Sequence, residues 1–326
     1  MESRIPVKET TFPLVFAAKN RSNDIRLNSS SGGAFEALAS KIIERGGVVY
    51  GCAFDDELKA VHIRCETIED CRQCMGSKYS QSYLGTTIAT IIQDVRDGRL
   101  VLFTGTPCQV DAVNKVCSKG VLTVDIVCHG VPSPLLFKTH VRFLESKIGA
   151  PVVEYEHRPK NKGWGHHERF RTKGGASFQD TRLSESWKRL FYDNRMLRPS
   201  CYACPYASEK RISDITIADY WGIEKTELGA FKDGLGVSLV MANSHQGLEL
   251  LGEADMELRS STLQDALPGN PMLTRPSKYV GDRNAVWVYL YENGYQAMLR
   301  AFHFYPSALR RFGMRGIRKM RQLLKG

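Results

Sequence analysis

No G-x-G-x-x-G fingerprint occurs in this chain of 326 residues, which argues against a nicotinamide or flavin held in the usual Rossmann manner. No apolar run approaches the roughly 18–20 residues that span a bilayer. The opening Met1-Glu2-Ser3-Arg4-Ile5-Pro6 lacks the apolar stretch of a secretory signal. Those absences place the expected site of action in the cytoplasm. Internal repeats and low-complexity tracts are also missing. The nine cysteines do not make an even set. In a long intracellular sequence that argues against a disulfide framework and for metal ligation with a few buried thiols.

Acid is scarce at one end. Residues 301–326 hold seven basic residues and no acidic one, which leaves +3 of the net +10 for everything before them. The body is close to neutral, so the total charge does not indicate nucleic acid. On a helical wheel of 309–325, Leu309, Phe312, Ile317, Met320, Leu323 and Leu324 fall within an arc of about 140°, opposite the basic side chains. Such a helix suits an anionic membrane surface, peripheral to the inner face of the membrane, or an acidic partner protein. Docking on its own domain with a solvated basic face is the alternative.

Hydrophobic residues make up 42% of the chain, enough for a large core. The pattern predicts a first strand around Leu14–Ala18 and a helix opened by Ser29–Gly33. Strands at Val48–Phe54 and Ala60–Cys65 and an amphipathic helix carrying Leu84, Ile88, Ile91, Ile92 and Val95 follow. A β-α-β-α unit comes next: strand Leu100–Phe103, helix Pro107–Val116, strand Val121–Val127 and helix Pro134–Ile148. Continuous apolar strands alternating with helices imply parallel pairing. Residues 152–180 read as antiparallel, Ser184–Tyr192 as a helix, Asp214–Asp219 and Gly236–Ala242 as strands, and Ser244–Glu253 as a helix. The expected fold class is α/β: a mixed, largely parallel sheet flanked by helices, with an antiparallel insertion and a helical C-terminal region. Three prolines within Pro268–Pro276 set the expected boundary between a domain of residues 1–267 and that region, 268–326.

Four cysteines lie in three short phrases: Thr104-Gly105-Thr106-Pro107-Cys108, Val127-Cys128-His129-Gly130 and Cys201-Tyr202-Ala203-Cys204-Pro205. The first two each end a predicted buried strand, where open α/β sheets place their chemistry. Pro107 suits the first position of a helix, so Cys108 falls in a first turn, where free N–H groups favour a thiolate. Right-handed crossover brings Cys128 to the same sheet edge, and Cys201 and Cys204 need only a loop to cover it. Four thiolates suit an iron–sulfur cluster. Structural zinc fits the same donors, and Cys108 as a lone nucleophile is a third option. A second C-x-x-C, Cys71 to Cys74, reads as one face of a short helix starting at Thr67, a further centre or a helical accident.

Gly76-Ser77-Lys78-Tyr79-Ser80-Gln81-Ser82 packs a cation, a phenol, an amide and hydroxyls into one turn, a mix suited to a ligand with phosphates and a polar ring, or to an exposed loop. Ser29–Gly33 precedes a helix, so it serves as a phosphate cradle or an ordinary cap. Asp219, just past a buried strand, is a candidate for chemistry. His129 beside Cys128 is a proton relay or a donor to sulfur. With Lys78, these two make the candidate catalytic set. Lys162, Trp164, His166 and His167 cluster in a loop, as a clamp for an anionic aromatic substrate or as solvated surface.

These phrases resemble the coenzyme F420 hydrogenase/dehydrogenase beta-subunit family. The carriers are Ser30-Ser31-Gly32-Gly33, Gly76 to Ser82, Thr104 to Gln109, Val127 to Ser133, Arg198 to Ala207 and Ser213 to Gly222, with a weaker match at Asn270-Pro271. The resemblance implies a flavin, usually FAD with FMN as the variant, beside a 4Fe–4S cluster, with electrons passing to a hydride acceptor such as a deazaflavin. Carried over, Cys108, Cys128, Cys201 and Cys204 are the cluster ligands. Ser30, Ser31, Gly32, Gly33, Ser77, Lys78, Tyr79, Gln81, Ser82, Thr104, Gly105, Thr106 and Pro107 are the flavin cradle. Longer relatives begin with a ferredoxin-like cysteine module; its absence here implies a separate ferredoxin-like donor. Cys71 and Cys74 fall outside the family pattern. Relatives also occur beside surface-polysaccharide genes in bacteria lacking F420, so the small-molecule acceptor is a deazaflavin or a polysaccharide-pathway metabolite. Within this frame the rivals are an electron-transfer subunit without flavin and a zinc-stabilised cysteine transferase.

Overall fold

Strands buried on both faces and helices that cover them set the frame. In this computed structural model, residues 11–117 and 119–305 are described; the tail 307–326, with its predicted basic helix, lies outside them. The chain runs β1 (Leu14–Asn20), α1 (Asn23–Asn28), α2 (Ala34–Glu44), β2 (Val48–Phe54), β3 (Ala60–Cys65), α3 (Ile68–Gln73) and α4 (Thr87–Arg96). Then come β4 (Val101–Gly105), α5 (Pro107–Val116), β5 (Val121–Ile126), α6 (Pro134–Ile148), β6 (Val152–His157), β7 (Glu168–Thr172), β8 (Ser177–Gln179) and α7 (Ser184–Tyr192). The last elements are β9 (Ile215–Asp219), β10 (Ser238–Ala242), α8 (His245–Glu253), β11 (Met256–Ser261), α9 (Leu263–Ala266), α10 (Arg283–Asn293) and α11 (Tyr295–Ala301).

Helices α5, α6 and α7 have the bounds their sequence predicts, and local chemistry explains why. Pro107 and Pro134 stand at first helical positions, where the missing N–H costs nothing. Ser133 caps α6 by accepting from the Leu135 N–H at 3.2 Å, and Gly149 ends it in the left-handed region, φ 76°. Helix α1 and strand β11 are additions. Ser22 caps α1, accepting from the Ile25 N–H, and β11 is half-exposed along most of its length.

The large sheet has the order β11-β1-β10-β9-β5-β4-β2-β3. Four adjacent strands, β9, β5, β4 and β2, are parallel, while β1, β10, β11 and β3 are joined antiparallel. Alternate residues feed two cores. Val48, Tyr50, Val101 and Phe103 pack under α4 and α5, whereas Val49 and Leu102 pack under α2 and α8. Both faces being apolar, the alternation expected of a half-exposed strand is absent. The outer edge of β3 is partly covered: the Tyr83 N–H donates to the Ala60 carbonyl at 2.9 Å and the His62 N–H to the Tyr83 carbonyl at 3.0 Å.

Parallel pairing puts the ends of β4, β5 and β9 on one edge. Register brings two more segments there, since Asp219 pairs with Ser238 and Ser238 with Ala18. The Ser29–Gly33 loop is then drawn to the same place: the Asn20 N–H donates to the Gly32 carbonyl at 2.7 Å. A Cβ on Gly32 would lie 2.2 Å from the Ala18 carbonyl, so only glycine permits that approach.

Strands β6–β8 form a separate antiparallel sheet. Its core is shared with α6, α7, α10 and α11 and holds Phe137, Trp187, Val286 and Met298. His140 is fully buried there, between the Tyr155 and Tyr295 hydroxyls at 3.3 and 3.1 Å. Burial pushes its pKa down to about 3, and that of His62, under the main sheet, down to about 4. In the unfolded chain each binds a proton below about pH 6.5. Between the folded and unfolded values the unfolded state therefore holds more protons, and stability falls as pH drops. The unfolding free energy from urea titrations should decline from about pH 6.5 towards pH 4, by about 1.4 kcal/mol per pH unit for each histidine. His140→Phe should remove its share of that slope; an unchanged slope would show His140 to be uninvolved.

Candidate active site

The three cysteine phrases meet at the carboxyl edge of the parallel strands. Cys108 lies in the first turn of α5 and is exposed, while Cys128, Cys201 and Cys204 are half-buried. Backbone bonds join the loops that carry them. Pro132 bridges to Leu197, and the Arg198 N–H donates to the Val131 carbonyl at 2.9 Å. A Cβ on Gly130 would lie 3.5 Å from Cys201 Sγ. The Tyr206 hydroxyl donates to Asp111 on α5 at 2.7 Å, tying the C-x-x-C loop to the Cys108 helix. Burial pushes the Cys128 thiol up to about 12, and the charges of Cys201, Cys108 and Cys204 add to that. Four thiols that repel one another as anions are a donor set for a cationic, thiophilic centre. No group of three or more His, Cys, Asp or Glu is gathered for a single metal ion among the described residues.

Against this edge lies a cavity of about 490 Å3, within the range that takes a cofactor or a small ligand. Cys108 and Cys128 line it; Cys201, Cys204, Gly32 and Pro107 are not among its lining residues. Its small-residue wall is made by Ser30, Ser31, Gly33, Ser77, Gln81 and Ser82. These hydroxyls are mutually fixed: Ser30 and Ser77 are 2.8 Å apart, Ser31 and Ser238 2.9 Å, and Ser82 accepts from Gln109 Nε2 at 2.8 Å. Gln109 in turn accepts from the Thr106 N–H at 3.0 Å, and Thr106 Oγ1 stands 3.2 Å from Cys108 Sγ. Thr104, Gly105 and Thr106 complete that side. The N-terminal turns of α2 and α5 both reach the cavity through Gly33 and Thr106, a setting for anionic groups. His62 is also on the wall, and its Nδ1 is buried without a hydrogen-bond partner among the described residues. Hydroxyls, helix N-termini and an orphaned ring nitrogen fit a ligand that carries phosphate and a polar ring.

The three candidate catalytic residues line the cavity too, each already engaged. Lys78 Nζ donates to the carbonyls of Gln73, Met75 and Gly76 at 3.1, 2.8 and 3.2 Å, and its burial lowers its pKa. It closes the end of α3. Asp219 Oδ1 accepts from Arg158 Nη2 at 2.6 Å and from Trp164 Nε1 at 2.7 Å, and Arg158 Nη1 also reaches Oδ2. Burial opposes charge on Arg158, but Asp219 overrides it and holds the guanidinium pKa above its ordinary value. His129 Nε2 lies 2.7 Å from Asn194 Oδ1, and burial lowers its pKa, so the ring is neutral at pH 7.

Arg158, Tyr192 and His62 are site residues that the sequence reading missed. Arg158 adopts φ 69°, costly for a non-glycine residue, and no spacing advertises it. The loop read as a clamp divides. Trp164 stacks on Trp221 with centroids 4.5 Å apart, and His166 faces Tyr192 at 4.9 Å. Lys162 and His167 both turn to Asp180, at 3.1 and 2.9 Å. Tyr79 stacks on Phe191 at 4.3 Å, giving the cavity an aromatic floor.

Two family models cover most of the chain, both of the coenzyme F420 hydrogenase/dehydrogenase beta subunit. The one for its C terminus matches residues 98–264, and the one for its N-terminal part matches residues 15–89. Among solved structures, a chain of the F420-reducing [NiFe] hydrogenase complex from Methanosarcina barkeri, studied by xenon derivatisation, has a TM-score of 0.54. It is 19% identical, over 80% of this chain and 85% of that one; at that identity the likeness shows the fold. No curated protein matches.

One buried ion pair secures the C-x-x-C loop to the sheet. Arg211 Nη2 meets Asp125 Oδ2 at 2.6 Å, both side chains almost fully buried, and Arg211 Nη1 donates to the Tyr206 carbonyl at 2.9 Å. Removing the cation alone strands the carboxylate. Arg211→Met should destabilise the protein by roughly 3–5 kcal/mol in chemical unfolding, and adding Asp125→Leu should recover most of that. A double variant no better than the single one would count against the pair as the cause.

Proposed function

The chain belongs to the coenzyme F420 hydrogenase/dehydrogenase beta-subunit family, a family of electron-transfer oxidoreductase subunits, and we propose that it is a flavin-dependent iron–sulfur enzyme. In this reading Cys108, Cys128, Cys201 and Cys204 hold a 4Fe–4S cluster, and the cavity beside them seats a flavin, FAD or FMN. A ferredoxin-like protein donates electrons, and a small organic molecule, a deazaflavin or a polysaccharide-pathway metabolite, accepts hydride. Bound there, the cluster supplies single-electron transfer and the flavin couples it to two-electron hydride chemistry. The meeting of three thiol-bearing loops beside a hydroxyl-lined cavity carries the proposal.

The chain's own residues supply position and exclusion. Exposed Cys108 marks the side on which an electron-donating protein would approach. The N-termini of α2 and α5 hold anionic groups, and the Ser30–Ser77 and Ser31–Ser238 pairs keep the donors there pre-set. Tyr79 and Phe191 keep water from the floor. Arg158, clamped by Asp219, fixes Trp221, whose ring lies 5.0 Å below the guanidinium. Asp219 and Lys78 act as positioning residues here, and Asn194 holds the neutral His129 ring beside Cys128. The cavity favours this enzyme reading over a subunit that only relays electrons.

Anaerobic purification with metal, sulfide and flavin analysis tests it. The expected protein is coloured, with broad visible absorption bleached by oxidation and resolved flavin bands above it. Cys128→Ser and Cys201→Ser should lose most of the iron, while Cys117→Ser, at the far end of α5, should keep it. Ser30→Leu should lower flavin content at unchanged iron. A colourless protein, or one holding tightly bound zinc, would overturn the proposal.

A further inference from the structure

Thiol chemistry is not confined to the three loops. Helix α3 carries Cys71 and ends on Cys74, and β3 ends beside them on Cys65. Cys65 Sγ lies 3.9 Å from Cys74 Sγ, so the second C-x-x-C gains a third thiol from the neighbouring strand. Among the described residues these donors do not form a site for a metal ion. Two sulfurs in contact meet the first requirement for a bond between them.

The two thiols differ in access. Cys65 is fully buried, whereas Cys74 retains 9% exposure and lines the cavity. Its place is left open by Gly51 in β2, where a Cβ would stand 2.8 Å from Cys74 Sγ. The hydrogen bond from Cys65 pulls the Cys74 pKa down; burial opposes that and the charge of Lys78 assists it. Cys52, on the same wall, is pushed up to about 11 by burial. Of Cys52 and Cys74, Cys74 is the one disposed to react.

We propose that Cys74 and Cys65 form a dithiol–disulfide couple on the cavity wall, exchanging with the disulfide of a small thiol. The Cys74 thiolate attacks one sulfur of the small disulfide, whose S–S bond breaks as the mixed disulfide on Cys74 forms. The departing thiolate takes up a proton. Cys65 then attacks Cys74 Sγ and expels the second small thiolate, which takes up the proton that Cys65 gives off as the protein S–S bond forms. The protein dithiol is oxidised by two electrons and one small disulfide becomes two thiols. Intracellular disulfides of this kind are catalytic or redox-sensing.

Equilibrating the full-length protein anaerobically in buffers of graded reduced to oxidised glutathione, then alkylating and mapping peptides, tests it. The expected product is a Cys65–Cys74 cross-link whose fraction follows the buffer ratio and reverses with dithiothreitol. Cys71→Ser should leave the link intact, and Cys65→Ser should accumulate glutathione on Cys74. Free Cys65 and Cys74 across the whole range would overturn the proposal. So would a Cys65–Cys71 link, or a Cys65→Ser protein that carries no glutathione at Cys74.

Discussion

Parallel pairing of β4, β5 and β9 is the constraint on which the site depends. Once three strands run the same way in register, whatever follows each must emerge at one edge. Thr106–Cys108, Cys128–Gly130 and Tyr220–Trp221 are among the residues that follow. The antiparallel half of the sheet extends the same edge, because β10 begins and β1 ends there. Neither the thiols nor the hydroxyl wall would meet if the middle of this sheet were antiparallel.

Around that edge, charged groups serve position more than reaction. Lys160, buried, donates to the Arg26, Ser31 and Leu235 carbonyls, and burial lowers its pKa to about 7. It thereby steadies the loop of Ser30 and Ser31. Lys78 does the same at the end of α3, and Arg211 under the C-x-x-C loop. Desolvated cations on backbone carbonyls are a costly way to hold a loop unless many donors are satisfied, and here each ammonium has three.

Much of this was legible in the chain. Pro107, Pro134 and Gly149 punctuate helices wherever they occur, so α5 and α6 could be bounded to the residue. The apolar runs of β4 and β5, with a helix between, required parallel neighbours. Cys108 and Cys128 followed from strand ends, and the small-residue phrases from their composition. Other features depend on tertiary partners. Strand β11 has little apolar content and exists because β1 offers an edge. Arg158 matters only because Asp219 lies across from it, 61 residues away in sequence. Cys65 looked like the last residue of a strand, and only the packing of α3 on β2 and β3 joins it to Cys74.

The outer strands of the large sheet carry a further consequence. An unpaired β-edge is a template on which identical chains can stack into fibres. Tyr83 occupies part of the β3 margin through two backbone bonds. On β11 the margin carries Glu257 and Arg259, linked at 2.7 Å. An arriving strand would have to displace a bound segment at one side and strip water from charges at the other. The sheet is thus guarded against self-templated aggregation at both margins, by different means.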